Sequence, residues 1–142
     1  MAQEILEAHN KYRRAVGVPP LRWSTALEAE AKAWAEELTK TRSFKHSNVR
    51  GQGENIWIGT SKRFTPTQMV DSWGSEEKNF KSGNAFPDVS KTGNWWDVGH
   101  YTQIVWKDTT EVGCAGVDGP DGMHRFVARY RGPGNMRGRK PF

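Results

Sequence analysis

One cysteine, Cys114, stands in a chain of 142 residues, so no internal disulfide can hold the fold. The chain must close on its own core, and its length is near the commonest size of one domain. One domain over residues 1–142 is the expectation. Cys114 sits among Val112, Gly113, Ala115 and Val117, a setting for a small buried hydrophobe and not for a reactive thiol. Apolar residues make up only 35% of the chain, but 7 Trp, 6 Phe and 3 Tyr supply much of the missing area. Charged residues are 26%, with both signs interspersed, which is not a disordered composition.

The formal net charge is +5. A surplus of that size favours anionic surfaces such as lipid headgroups, cell-wall polymers or acidic proteins. The last residues concentrate it, with Arg131, Arg137, Arg139 and Lys140. No motif interleaves aromatic and basic residues in the manner of a nucleic-acid binder. No apolar run approaches the length of a membrane span. No signal peptide precedes the first helical pattern, and Met1-Ala2 lacks the glycine that N-myristoylation requires.

Apolar spacing places a helix from about Ala2 to Ala15, ended by Gly17-Val18-Pro19-Pro20. His9 falls on its inner face and reads as structural. Leu21-Arg22-Trp23 is a short extended link, and Ser24 or Thr25 caps a second helix that fades near Lys40. Thr25 and Glu28 have capping-box spacing. Glu54 to Ile58 reads as a short strand. Thr65, Pro66 and Gln68 open a third helix that runs to about Phe80. Met69, Trp73 and Phe80 form its inner stripe, and Glu76 and Glu77 both lie within about 60° of it at 100° per residue. Periodicity leaves open which carboxylate borders the buried side.

Ser82 to Gly99 is a long loop carrying Trp95 and Trp96, which either line a groove or pin the loop to the body. Tyr101 to Trp106 reads as a buried strand with His100 at its mouth. Val112–Val117 and Phe126–Tyr130 read as a hairpin about Asp118-Gly119-Pro120-Asp121-Gly122. With helices early and strands late, the fold class is α+β, helices packed on an antiparallel sheet.

His46, Glu54, Glu76 (or Glu77) and His100 are the groups able to carry chemistry. Each lies beside glycine, aromatic or apolar residues and outside any charge run. Two imidazoles and two carboxylates in one cleft suit a divalent metal such as zinc, or acid/base work with a carboxylate orienting a histidine. There is no H-E-x-x-H, no cysteine ligand and no nucleophile elbow; Ser72 and Ser75 stand in no such setting.

The stretch Gly99 to Trp106, G-H-Y-T-Q-I-V-W, resembles the signature of the CAP superfamily of cysteine-rich secretory, antigen 5 and plant pathogenesis-related proteins. The resemblance runs the length of the chain. It includes Ala8-His9-Asn10 with Arg13, and Val18-Pro19-Pro20-Leu21 with Trp23. It continues through Gly53-Glu54-Asn55-Ile56 and Trp73 to Phe80, and ends with Tyr130, Pro133-Gly134-Asn135, Gly138 and Pro141-Phe142. It implies an α-β-α sandwich with a mostly antiparallel central sheet between helical layers. It implies that His46, Glu54, Glu76 and His100 form the family's central tetrad, Glu76 being selected by the W-x-x-E pattern. In some members that tetrad binds zinc or another divalent cation. Many secreted relatives carry several disulfides and this chain carries none, a departure that leaves the compartment open.

Two functions compete. The resemblance implies an extracellular, non-enzymatic protein that binds a lipid or sterol and acts in defence, virulence or host–microbe contact; an intracellular or membrane-peripheral site is the alternative. Trp57, Phe64, Phe86, Trp95 and Trp96 are the candidate lining of an apolar groove. The alternative function is a zinc-dependent hydrolase of peptide or cell-wall material, with Glu54 or Glu76 as base. A third use is contact with an anionic membrane through the basic tail.

Overall fold

The computed structural model describes residues 1–142. Its first helix, α1 (Ala2–Val16), ends where Gly17 takes φ 75° and returns its N–H to the carbonyls of Arg13 and Arg14. A short strand, β1 (Arg22–Trp23), leads into α2 (Thr25–Thr41). The cap of α2 is Ser24, whose hydroxyl accepts from Leu27 N. The Thr25–Glu28 box does not form, because the Glu28 carboxylate is engaged by the Trp23 indole N–H at 2.8 Å.

The first long strand is β2 (Gln52–Thr60), longer at both ends than its sequence pattern indicates. The third helix, α3 (Pro66–Gly74), has the full Thr65/Gln68 capping box and Pro66 at its first position. It stops at Gly74, and a tighter 3₁₀ segment, Ser75–Asn79, carries the chain on to Phe80. The long loop is not structureless: it pairs Phe80 with Ser90 and holds a 3₁₀ turn at Trp95–Asp97.

The segment from Gly99 to Val105 corrects the expectation of a strand. It is a helix, α4 (Gly99–Val105). Its β-branched and aromatic residues suggest a strand because six of its seven residues are buried, so no polar face marks the helical period. Contacts distant in sequence fix it. Arg13, fully buried, donates from its guanidinium to the carbonyls of Pro19, Ile104, Trp106, Lys107 and Thr109. A cation there suits the carbonyl end of α4.

Strands β3 (Glu111–Asp118) and β4 (Met123–Arg131) complete a sheet of order β1-β3-β4-β2. Only β1–β3 is parallel. Alternation sends successive residues to opposite faces. Phe126, Ala128 and Tyr130 of β4 join Val112 and Cys114 beneath α1, α3 and α4. Val127 joins Ile56 on the other face, where α2 covers them with Ala31, Ala35 and Leu38. The result is the expected α-β-α sandwich, with β2 as an outer strand. The single cysteine is buried, and burial raises its thiol pKa.

Candidate functional site

The four expected residues form two histidine–carboxylate pairs. His46, on the connection between α2 and β2, donates from Nδ1 to Oε1 of Glu54 at 2.8 Å. Glu54 accepts three more hydrogen bonds: from Ser47 N at 2.9 Å, Ser47 Oγ at 2.6 Å and Arg129 Nε at 2.7 Å. Arg129 is its cross-strand partner on β4, so the sheet register builds the ion pair. Burial pushes the Glu54 carboxyl up. The bonds from His46 and Ser47 and the charge of Arg129 outweigh it and hold the pKa below its ordinary value.

The second pair joins Glu76, on the 3₁₀ segment after α3, to His100 on α4. Nδ1 of His100 donates to Oε2 of Glu76 at 2.8 Å. Oε1 of Glu76 accepts the backbone N–H of His100 at 2.9 Å and of Tyr101 at 3.1 Å. These are first-turn amides of α4, whose own cap residue Val98 offers no side-chain bond. A carboxylate from elsewhere therefore caps the helix. The His100 ring also stacks on Trp73, with centroids 5.9 Å apart and planes 14° apart. Glu77 stays exposed, so the geometry selects Glu76.

A cavity of about 610 Å³ is lined by His46, Glu54 and His100 together with Gly53, Asn55, Trp95, Trp96, Gly99, Gln103, Gly134 and Asn135. Glu76 stands behind His100 and is not part of the lining. Both carboxylates fix Nδ1–H on their histidines, and neither Nε2 has a partner in the chain. A neutral imidazole so oriented presents a lone pair at Nε2, as in metal sites where a carboxylate holds the outer nitrogen. Each imidazole is thus a donor of the type that ligates a divalent cation. No three His, Cys, Asp or Glu side chains gather as a closed metal cage.

Residues not singled out from sequence hold the cleft in shape. Gln103 is wedged between Gly53 and Gly134, where a Cβ at either glycine would collide with its amide. Its Oε1 accepts from Gly134 N at 3.1 Å. Asn55 donates to the His100 carbonyl at 3.1 Å and to the Tyr130 hydroxyl at 3.2 Å. The Tyr130 hydroxyl meets Nε2 of His9 at 2.7 Å, while Nδ1 of His9 bonds the Ile5 carbonyl at 2.9 Å. A carbonyl cannot donate, so His9 carries Nδ1–H and its Nε2 accepts from Tyr130. His9 is structural, as expected, and burial lowers its pKa to about 4. The signal for Arg129 was present in the sequence: a charge inside the apolar run Phe126–Tyr130 requires a buried partner.

Of the candidate groove aromatics, only Trp95 and Trp96 line the cavity, and Trp96 is 69% exposed. Phe86 is buried in a satellite cluster with Val89, Val98 and Trp106. Trp57 and Phe64 pack on one another edge to face. In the basic tail, Arg131 pairs with Glu111 and Arg139 lies 3.7 Å from Asp108, leaving Arg137 and Lys140 without ion pairs. No helix is long and apolar enough to cross a membrane.

Residues 6–130 match CAP, the cysteine-rich secretory protein family. The chain belongs to the CAP family. It is 39% identical over 137 residues to the human Golgi-associated plant pathogenesis-related protein 1, covering 94% of this chain and 83% of that protein. It is 35% identical over 141 residues to pathogenesis-related protein 1A of Nicotiana tabacum, covering 99% of this chain and 80% of that one. The crystal structure of NaASP2 with Zn2+ superposes at a TM-score of 0.81 with 26% identity, over 99% of this chain and 84% of that chain. This CAP chain is thus similar in sequence to relatives named for pathogenesis and in fold to NaASP2.

Proposed function

We propose that this CAP domain is a secreted, non-enzymatic binding protein of defence, virulence or host–microbe contact. Its cleft holds a divalent cation, zinc foremost, and takes a lipid or sterol along the Trp95–Trp96 wall. The observation that carries the reading is the pair of unpartnered Nε2 atoms of His46 and His100 lining one cavity. Glu54 and Glu76 act behind the imidazoles, fixing their tautomer and direction. A bound cation supplies a positive anchor for an oxygen of the ligand. The zinc-containing structural relative supports the metal half of the reading.

The cavity volume falls in the range of small-molecule sites. Trp96 offers an open aromatic face at that cavity. Hydrolysis is less well served. Glu54 already accepts four hydrogen bonds, from His46, Ser47 and Arg129, and Glu76 does not line the cavity, so neither carboxylate is well placed to take a proton from a water in the cleft. Ser75 Oγ is spent on the Ser72 carbonyl.

Titration of tryptophan fluorescence with a fatty acid and with ergosterol, at high salt, tests the ligand. Saturable quenching that is lost in Trp96→Ala supports cleft binding. Quenching that Trp96→Ala leaves unchanged, or none with either lipid, removes the lipid reading.

A further inference from the structure

Beside the cleft, and sharing His46, Gly53 and Glu54 with it, lies a second cavity of about 300 Å³, lined by the turn from His46 to Arg50, the start of β2 and Arg129. Arg129 is 4% exposed, yet its guanidinium is not fully used. Nε bonds Glu54 at 2.7 Å and Nη1 bonds Gln52 at 3.2 Å, while Nη2 has no partner in the chain. Nη2 keeps access to solvent, since Ser61 Oγ is the one buried side-chain polar atom without a partner, and it is a free donor on a residue that lines the cavity. Arg50, on the same cavity, forms no ion pair. The backbone N–H groups of Asn48, Val49, Arg50 and Gly51 also bond nothing within the chain. The turn is left-handed at two points, with Asn48 at φ 61° and Gly51 at φ 80°.

We infer that this cavity is a binding site for a tetrahedral oxyanion group, a phosphate or sulfate, held by Nη2 of Arg129, the guanidinium of Arg50 and the amides of the 48–51 turn. The donors match in kind: a planar fork and backbone N–H groups are the usual partners of phosphate and sulfate oxygens. The charges match in sign, two guanidiniums against the single carboxylate of Glu54 on the cavity wall. That carboxylate is already covered by His46, Ser47 and Arg129. Glu30 reaches the rim only through its bond to the Gln52 amide at 3.0 Å. The site shares His46, Gly53 and Glu54 with the wall of the cleft, but Arg50, Arg129 and the 48–51 turn do not line the cleft, so its proposed donors are its own.

The test is a proton–nitrogen NMR titration of the intact chain with sodium sulfate, sodium phosphate and glycerol 3-phosphate, against sodium chloride at matched ionic strength. The expected result is saturable shifts confined to the amides of residues 48–51 and to Arg129 Nε. Arg50→Ala, at an exposed position, weakens binding about tenfold, the equivalent of one charge-assisted hydrogen bond. Arg129→Lys keeps a cation opposite Glu54 but loses the fork, and weakens binding by a similar factor while the spectrum stays folded. Sedimentation with vesicles containing phosphatidic acid identifies the source. Binding to vesicles without response to glycerol 3-phosphate marks a lipid headgroup, and the reverse marks a free monoester. Shifts matched by chloride, or unchanged affinity in both folded variants, overturn the site.

Discussion

Glu76 caps the helix that carries His100. One oxygen of Glu76 takes the first-turn amides of His100 and Tyr101, and the other takes Nδ1 of the His100 ring. A single carboxylate therefore sets both the position of the helix and the direction of its histidine. The W-x-x-E pattern thus has a structural role in this fold.

Replacing Glu76 separates those two roles. Glu76→Ala removes the cap and the ring partner together and lowers stability by about 2–4 kcal/mol in urea unfolding. In Glu76→Gln the amide oxygen still serves the α4 amides, but its NH₂ faces the ring and forces Nδ1 to accept. His100 then carries Nε2–H, visible in nitrogen NMR of the ring, and stability falls by less than in Glu76→Ala.

Arg13 fixes the other end of α4. Its guanidinium serves five backbone carbonyls and meets no carboxylate, and burial lowers its pKa to about 10. Arg13→Met fills the same space but strands the carbonyls of Ile104, Trp106 and Thr109. The expected loss is about 3–5 kcal/mol, read by urea denaturation.

These two contacts explain what was legible in the sequence and what was not. The caps at Ser24 and Thr65, the stop at Gly17 and the alternation through Phe126 and Val127 are local patterns, and local reading placed most helices and strands. Helix α4 escaped because its order comes from Glu76 and Arg13, which meet it from 24 and 91 residues away in sequence. The site was legible as residue types. Its division into two pairs was not, since the register that sets Arg129 opposite Glu54 is a property of the whole sheet.

Acid weakens the fold through His9. Its pKa is about 4 in the folded chain and about 6.5 in the unfolded one, so the unfolded state binds the proton first. Stability is complete above pH about 6.5 and falls by about 3 kcal/mol as the pH drops through this window to about 4. Glu54, held below its ordinary pKa, stabilises above the unfolded carboxyl pKa and loses that contribution only at lower pH still. Urea unfolding at pH 7, 5.5 and 4 checks the slope. His9→Gln, which cannot titrate, flattens the upper part of it.

The proposed binding role of Trp96 is separable from folding. With its side chain largely in solvent, Trp96→Ala changes stability by no more than about 0.5 kcal/mol. Loss of lipid-induced quenching in that variant, beside an unaltered urea midpoint, assigns the indole to the ligand.

The most direct measurement is a calorimetric zinc titration at pH about 7.5 and again near pH 5, on the wild type and on His46→Ala/His100→Ala. Two imidazoles with free Nε2 atoms predict saturable binding at the higher pH. Because metal binding displaces protons from its ligands, it weakens near pH 5, and it disappears in the double variant. No heat at either pH, or equal binding by the folded double variant, contradicts the metal site and reduces the two histidine–carboxylate pairs to supports of the fold.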